Sequence, residues 1–279
     1  MTTRVPVERL RLIADGWERV RRPDTLAVEE PLEIRAAGQV VTVTMRTPGA
    51  DIDLVHGYFL AEGIIADAAG IRSARYCAGA VATGPDGREQ NTYNVIDVDL
   101  TEPARAAAGL SRTALSTSAC GVCGSASIDA IRDRLPPPLA GPRAQVTAGI
   151  VADLMRRVGA GQENFERTGG LHAAALADAG GSIHALAEDV GRHNAVDKVI
   201  GAGLRAGLLP RADAVLLVSS RASFEIVQKA AMAGISIIAV VSAPSSLAVE
   251  TAAALGLTLI AFARGDRCNV YSGFDRVAD

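Results

Sequence analysis

The hydrophobic pattern changes period along the chain. Over Leu32-Glu33-Ile34 and Val40-Val41-Thr42-Val43-Thr44, β-branched residues flank the turn-like Ala36-Ala37-Gly38-Gln39, which predicts a β-hairpin. After Pro48-Gly49 the period lengthens. Ile52, Val55 and Phe59 fall on one face of a helix, with Asp51 as its expected N-cap and Gly63 as its stop. That face should pack on the hairpin. Strand-like runs over residues 72–76 and 93–100 enclose the turn Gly84-Pro85-Asp86-Gly87, so the first part reads as a small α+β unit.

Pro136-Pro137-Pro138 cannot sit inside a helix and, with Gly141-Pro142, reads as an extended linker. It divides the chain into an N-terminal α+β domain, residues 1–140, and a C-terminal α/β domain, residues 141–279. In the second part, residues 214–218, 235–241 and 257–262 are continuous apolar runs of strand length separated by helical stretches. Such runs suit a parallel sheet covered on both faces, hence a βαβαβ layout. Right-handed crossovers bring the C-terminal ends of these strands to one edge, where ligands bind. The residues that emerge there are Ser219-Ser220-Arg221, Ser242-Ala243-Pro244-Ser245-Ser246 and Arg264-Gly265-Asp266-Arg267. Hydroxyls, guanidinium groups and helix N-terminal amides at one edge suit phosphate, whereas the plain alternative is ordinary capping.

Hydrophobic residues make up 49% of the 279 and charged residues 21%, the balance of a folding globular chain rather than a disordered one. A net charge of -3 gives no basic footprint for duplex DNA or anionic membrane. Arg4, Glu8, Arg9, Arg11 and Asp15 interrupt the apolar residues of the N-terminus, so it lacks the core of a signal peptide, and no later apolar run reaches spanning length. The expected location is the cytoplasm. Four cysteines, only two of them close together, do not make the disulfide framework of a small secreted protein.

Those two lie in Cys120-Gly121-Val122-Cys123, among small and polar neighbours from Ser116 to Ile128. Gly121 and Gly124 give the loop backbone freedom. Ile128, Ile131 and Leu135 recur at helical spacing with Ser125 as the expected cap, so the thiols precede a helix N-terminus whose dipole favours thiolate. Three chemistries stay open. Disulfide exchange expects a nearby bulky aromatic, and the sole tryptophan, Trp17, is remote in sequence. Zinc needs a second ligand pair from Cys77, Cys268, His56, His172, His184 or His193, none with matching spacing. Nucleophilic sulfur transfer needs one cysteine to take sulfane sulfur as a persulfide, with the other protecting or resolving it. Cys77 and Cys268 stand singly and read as buried, inert thiols.

Thr168-Gly169-Gly170-Leu171-His172 reads as a glycine turn feeding a strand that starts near His172, with residues 182–186 returning antiparallel. A zinc deaminase would carry Glu two residues after such a histidine; Ala174 stands there, and the cysteine pair precedes the histidine instead of following it. The segment from Glu188 to Lys198 packs polar residues between a strand and a helix. Arg192 could hold a phosphate and His193 could exchange protons near neutral pH; the plain alternative is a solvated helix start capped by Asn194.

With these residues in view, the chain resembles the FdhD family of formate dehydrogenase accessory sulfurtransferases along nearly its whole length. The resemblance rests on Glu30-Pro31-Leu32-Glu33-Ile34, Thr47-Pro48-Gly49, Glu62-Gly63-Ile64-Ile65, Cys120-Gly121-Val122-Cys123-Gly124, the 168–172 segment, Asp189-Val190-Gly191-Arg192-His193-Asn194-Ala195 and Ser219-Ser220-Arg221-Ala222-Ser223. It implies that Cys120 accepts sulfur from a cysteine desulfurase and passes it to a molybdenum or tungsten bis(molybdopterin guanine dinucleotide) cofactor, a bound substrate that the formate dehydrogenase catalytic subunit then receives. Cys123 is the second catalytic candidate. It also implies a guanine-nucleotide contact at Phe262-Ala263-Arg264-Gly265-Asp266-Arg267, a homodimer, and a second domain that is a mixed sheet with helices on both faces, cytidine-deaminase-like but without tightly bound zinc. The competing readings are a non-catalytic molybdenum-cofactor chaperone and a zinc-dependent deaminase-like hydrolase.

Overall fold

The structure, a computed structural model, describes residues 2–77, 82–83, 89–90, 94–102, 136, 144–211 and 213–279. The Cys120–Cys123 loop with the helix expected after it, the 84–87 turn and all of the proline-glycine linker but Pro136 lie outside the described residues.

Strands β1 (Thr2–Ile13) and β2 (Gly16–Ala27) form a long antiparallel hairpin that the hydrophobic pattern does not announce. Both faces are largely exposed, so no alternation of apolar and polar residues marks them. Next come β3 (Glu30–Ala36) and β4 (Gln39–Arg46), the expected hairpin. Its two-residue turn, Ala37-Gly38, has positive φ at both positions, the turn whose twist matches paired strands. Helix α1 (Asp51–Ala61) follows and ends at Gly63, which takes the left-handed conformation with φ +68° as expected. Asp51 is not its cap: Ala50 holds that position, and Asp51 is drawn instead into a buried ion pair with Arg46. Strand β5 (Ile71–Tyr76), the short ladder of β6 (Ala82–Thr83) with β7 (Glu89–Gln90), and β8 (Val95–Leu100) complete this part. Its main sheet has the order β4-β3-β8-β5.

The rest of the chain runs β9 (Val146–Thr147), α2 (Ala148–Ala160), α3 (Glu163–Thr168), β10 (His172–Asp178), β11 (Ile183–Asp189), α4 (Arg192–Arg205), β12 (Ala214–Val218), α5 (Phe224–Met232), β13 (Ile237–Val240), α6 (Ser246–Ala254), β14 (Thr258–Arg264), β15 (Arg267–Ser272) and β16 (Val277–Ala278). The sheet order is β11-β10-β12-β13-β14-β15. The three expected strands, β12, β13 and β14, pair parallel at its centre, while β10, β11 and β15 are joined at its flanks by antiparallel pairing. Alternate residues of the central strands serve opposite cores. Leu216, Ile238 and Leu259 pack with Val196, Val199 and Ile200 of α4, whereas Val215, Leu217, Ile237 and Ile260 pack with Val151, Leu154 and Val158 of α2.

The first of these cores is continuous with Leu32, Ile34, Leu54, Val55, Phe59 and Ile96 of the N-terminal elements. Helices α1 and α4 meet at Gly57 and Gly201. A Cβ at Gly57 would lie 2.0 Å from the Asp197 carbonyl oxygen, and one at Gly201 would lie 1.8 Å from that of Asp53. Only hydrogen side chains allow so close a backbone approach.

Candidate functional site

The parallel strands end together, and at that edge a cleft of about 990 Å³ opens. Ser219 after β12, Val241 after β13, and Ala263, Arg264 and Gly265 at the end of β14 line one side. Asp153, Met155 and Arg156 of α2, Phe165 of α3, and the Gly169-Gly170-Leu171-His172 entry to β10 line the other. A volume of this order suits a small-molecule ligand. The Ser219 hydroxyl accepts from the Ala173 amide at 2.8 Å, and the Ser219 amide donates to the Ala173 carbonyl at 2.9 Å, which pins the first loop to β10. Arg156 is ion-paired with Asp153, whose carboxyl it holds below the usual carboxylate range.

Of the residues expected at this edge, Ser219, Ala263, Arg264 and Gly265 line the cleft. Phe262, Asp266 and Arg267 are exposed on the adjoining β14–β15 hairpin, with Phe262 at φ 53° and Gly265 at φ 65°. The capping alternative holds for Ser245, whose hydroxyl accepts from the Ala248 amide at 3.2 Å to close the start of α6. It does not hold for Ser223. That residue stands at the N-cap of α5 without a capping bond, and its hydroxyl turns to Glu225 at 3.3 Å.

This hydroxyl belongs to a second polar cluster beside the cleft. His193 Nε2 lies 2.9 Å from Glu225 Oε2 and 3.3 Å from Ser223 Oγ. The His193 hydrogen bond, partly offset by burial, brings the Glu225 carboxyl down to about 2. An ionised carboxylate only accepts, so Nε2 of this imidazole donates to it. His172, the first residue of β10, belongs to both places: it lines the cleft and it feels the charges of Arg192 and His193. Burial first, then those two cations, lowers its pKa below the ordinary histidine value. Arg192 and His193 open α4, whose N-cap Gly191 has no capping side chain. Asn194 is not the cap. It is buried in the first turn, where its amide donates to the Met45 carbonyl at 2.7 Å and its oxygen accepts from the Thr44 hydroxyl at 3.2 Å.

Beneath the cluster, buried charges hold α4 in place. Lys198 Nζ is 2.6 Å from Asp189 Oδ2 and donates to the Thr47 carbonyl at 2.8 Å. The same carboxylate accepts from the Thr47 and Gly191 amides. Asp197 accepts from Lys229 of α5 at 2.7 and 2.9 Å, with the ammonium 5.7 Å from the centre of the Tyr58 ring. Arg46 completes the arrangement on the N-terminal side with bonds to Asp51 at 2.9 and 3.1 Å. Tyr76 donates to Asp51 at 2.9 Å, and burial together with that carboxylate pushes its phenol up to about 12.

Cys77 and Cys268 are both partly exposed rather than buried, which corrects the expectation for them. Among the described residues no group of three or more His, Cys, Asp or Glu side chains is placed to hold a metal ion. Missing from the sequence expectations are Asp153, Arg156 and Phe165, because no helix was expected there. The spacing of Val151, Leu154, Met155 and Val158 carries the signal of α2. Glu225 was missed as well, and only its neighbour Ser223 belongs to a recognisable motif.

A mixed sheet with helices on both faces, and a cleft where its parallel strands end, define an α/β protein with an open cleft at the sheet edge. The chain belongs to the FdhD/NarQ family, whose model matches residues 27–278. It is 54% identical over 258 residues to the "Sulfur carrier protein FdhD" of Nocardia farcinica, with 92% of this chain and 90% of the relative covered. With the protein of the same name from Streptomyces coelicolor it shares 52% identity over 259 residues, again covering 92% and 90%. In fold it is similar to a protein from Desulfotalea psychrophila whose crystal structure is described as that of a formate dehydrogenase accessory protein. There the TM-score is 0.73 at 23% identity over 99% of both chains. No helix among the described residues is long and apolar enough to cross a membrane.

Proposed function

We propose that this chain is a sulfurtransferase that loads sulfur onto Cys120 and delivers it to a molybdenum or tungsten bis(molybdopterin guanine dinucleotide) cofactor destined for formate dehydrogenase. The observation that carries the proposal is the identity above 50% over nine-tenths of the chain to proteins named as sulfur carriers. In the loading step the Cys120 thiolate attacks the outer sulfur of a cysteine desulfurase persulfide. The new S–S bond forms on Cys120 as the old one breaks, and the desulfurase cysteine leaves as thiolate. The pair partner, Cys123, protects or resolves the persulfide. The cleft at the sheet edge takes the guanine and phosphate end of the cofactor, with Arg264 as the charged contact, a role supported by its place among the cleft residues. The protein acts in the cytoplasm as a homodimer, and the second half has a cytidine-deaminase-like arrangement without zinc.

Desulfurase-dependent persulfide labelling of the wild type beside Cys120→Ala and Cys123→Ala tests this directly. Labelling is expected to vanish in Cys120→Ala while affinity for guanosine diphosphate stays near normal. Undiminished labelling of that variant sinks the assignment, and leaves the chaperone reading in its place.

A further inference from the structure

We propose that Arg192, flanked by His172 and His193, forms a seat for a dianionic oxyanion that is separate from the contact made by Arg264. Arg192 Nε is buried and has no hydrogen-bond partner among the described residues. A buried donor of a permanent cation left without an acceptor is unfavourable, so the group is held for something that supplies one.

The neighbouring carboxylates do not fill that need. Glu225 lies near enough to feel the Arg192 charge, yet its Oε2 is already taken by His193 and Ser223. Asp189 influences His172, but its two oxygens accept from Lys198, from the Thr47 and Gly191 amides and from Asn194. Lys198 is in turn engaged by Asp189 and by the Thr47 carbonyl. What remains is one guanidinium and two imidazoles, Arg192 and His193 at the start of α4 and His172 at the start of β10, where His172 feels the charge of both.

The planar fork of an arginine matches two oxygens of a phosphate or an oxometallate, and an N–H of a flanking imidazole can donate to a further oxygen that a single carboxylate does not have. His172 also lines the cleft in which Arg264 stands, so the seat and the cleft share a residue. A large ligand would then be gripped at two separated anionic points. The identity of that ligand rests on the sulfurtransferase reading, while the seat itself does not. Two sources share the chemistry, a phosphate ester of the nucleotide and the oxo-ligated metal end of a cofactor.

Calorimetric titration of the full chain with inorganic phosphate and, separately, with molybdate tests the seat. Saturable binding of at least one of them is expected in the wild type and in Arg264→Ala, and the anion that binds identifies the source. In Arg192→Gln the affinity should fall about tenfold or more, the loss of one charge-assisted contact, while the affinity for guanosine diphosphate moves much less. Binding of neither anion by the wild type, equal affinity in Arg192→Gln, or loss confined to Arg264→Ala overturns the proposal. If Arg192→Gln fails to fold, Arg192→Lys decides: the charge is kept but the fork is lost, and unchanged affinity would refute a forked contact. Persulfide labelling is read separately, so failure here leaves the sulfur assignment standing, and the reverse holds too.

Discussion

Substitution of Gly201 by alanine isolates the contact on which the frame of the site depends. In a solvent-facing helix the change would stabilise the protein by about 1 kcal/mol, because alanine restricts the unfolded backbone and is the best helix former. Gly201 does not face solvent. Its Cβ would meet the Asp53 carbonyl oxygen at 1.8 Å, the carbon of the same carbonyl at 2.7 Å and the Gly57 amide nitrogen at 2.9 Å. All three are backbone atoms, so no side chain can swing aside. Helix α1 must retreat by about 1.5 Å to restore ordinary contact, and it carries Leu54, Val55 and Phe59 out of a core they share with α4. Overpacking of this kind costs about 3 kcal/mol at the upper end of the usual range, which leaves a net loss of about 2 kcal/mol after the helix gain. The thermal midpoint should fall by about 4–8 °C. Gly159→Ala supplies the control, since nothing lies within 4 Å of a Cβ at that exposed position of α2. It should be neutral or slightly stabilising. Thermal and guanidinium denaturation of the two variants together give the answer, and a Gly201→Ala protein as stable as the control would refute the close crossing of α1 and α4.

Asp189→Asn leaves the Lys198 ammonium buried without its counter-charge and should destabilise by about 3 kcal/mol or more; an equilibrium denaturation midpoint within error of wild type would contradict it. Arg264→Ala should weaken guanosine diphosphate binding by about tenfold or more, if the guanidinium makes a charge-assisted phosphate contact, and an unaltered dissociation constant in calorimetry counts against that. Glu225 is depressed in the folded state, from an ordinary 4.5 to about 2. Its contribution to stability is therefore present above about pH 4.5 and is lost as pH falls towards about 2, reduced by solvent screening because the side chain is more than half exposed. Denaturation midpoints measured across that window should fall less steeply in Glu225→Gln than in the wild type; parallel curves would remove the His193–Glu225 bond from consideration.

What could be read from the residues was whatever burial writes into periodicity. All five residues of β12 and all four of β13 are buried, so residues 214–218 and 237–240 show as unbroken apolar stretches. With their helices they already imply where a ligand sits. The β3–β4 turn was legible because Ala37-Gly38 interrupts a β-branched run. The hairpin of β1 and β2 was hidden for the opposite reason: with Leu12 at 67% and Trp17 at 65% exposure, neither face is selected for apolar residues. Local chemistry misled at Asp51 and Asn194. Both are good capping residues, yet each is claimed by a partner distant in the chain or across the fold, Arg46 and Tyr76 for the first and Met45 and Thr44 for the second. A capping preference is worth about 1 kcal/mol, and a buried charge or amide can override it when a better partner arrives from another element.

Helix α4 is where these strands of reasoning meet. Its first turn presents Arg192 and His193 to the cluster, its second carries Asp197 and Lys198 into buried ion pairs, and its third brings Gly201 against α1. Buried ion pairs contribute little net stability against apolar replacements, because desolvation offsets most of their attraction. They do fix geometry, since any slip of the helix would strand a charge. These contacts, with that of Asn194 to Met45, tie α4 to β4 and the residue after it, to α5 and to α1 at successive turns, so the orientation of its N-terminal side chains is set largely by rigid elements. A group that must present fixed donors to an incoming ligand gains from that arrangement, and the loss of Asp189 or the crowding of Gly201 should therefore weaken oxyanion binding at Arg192 even in protein that remains folded.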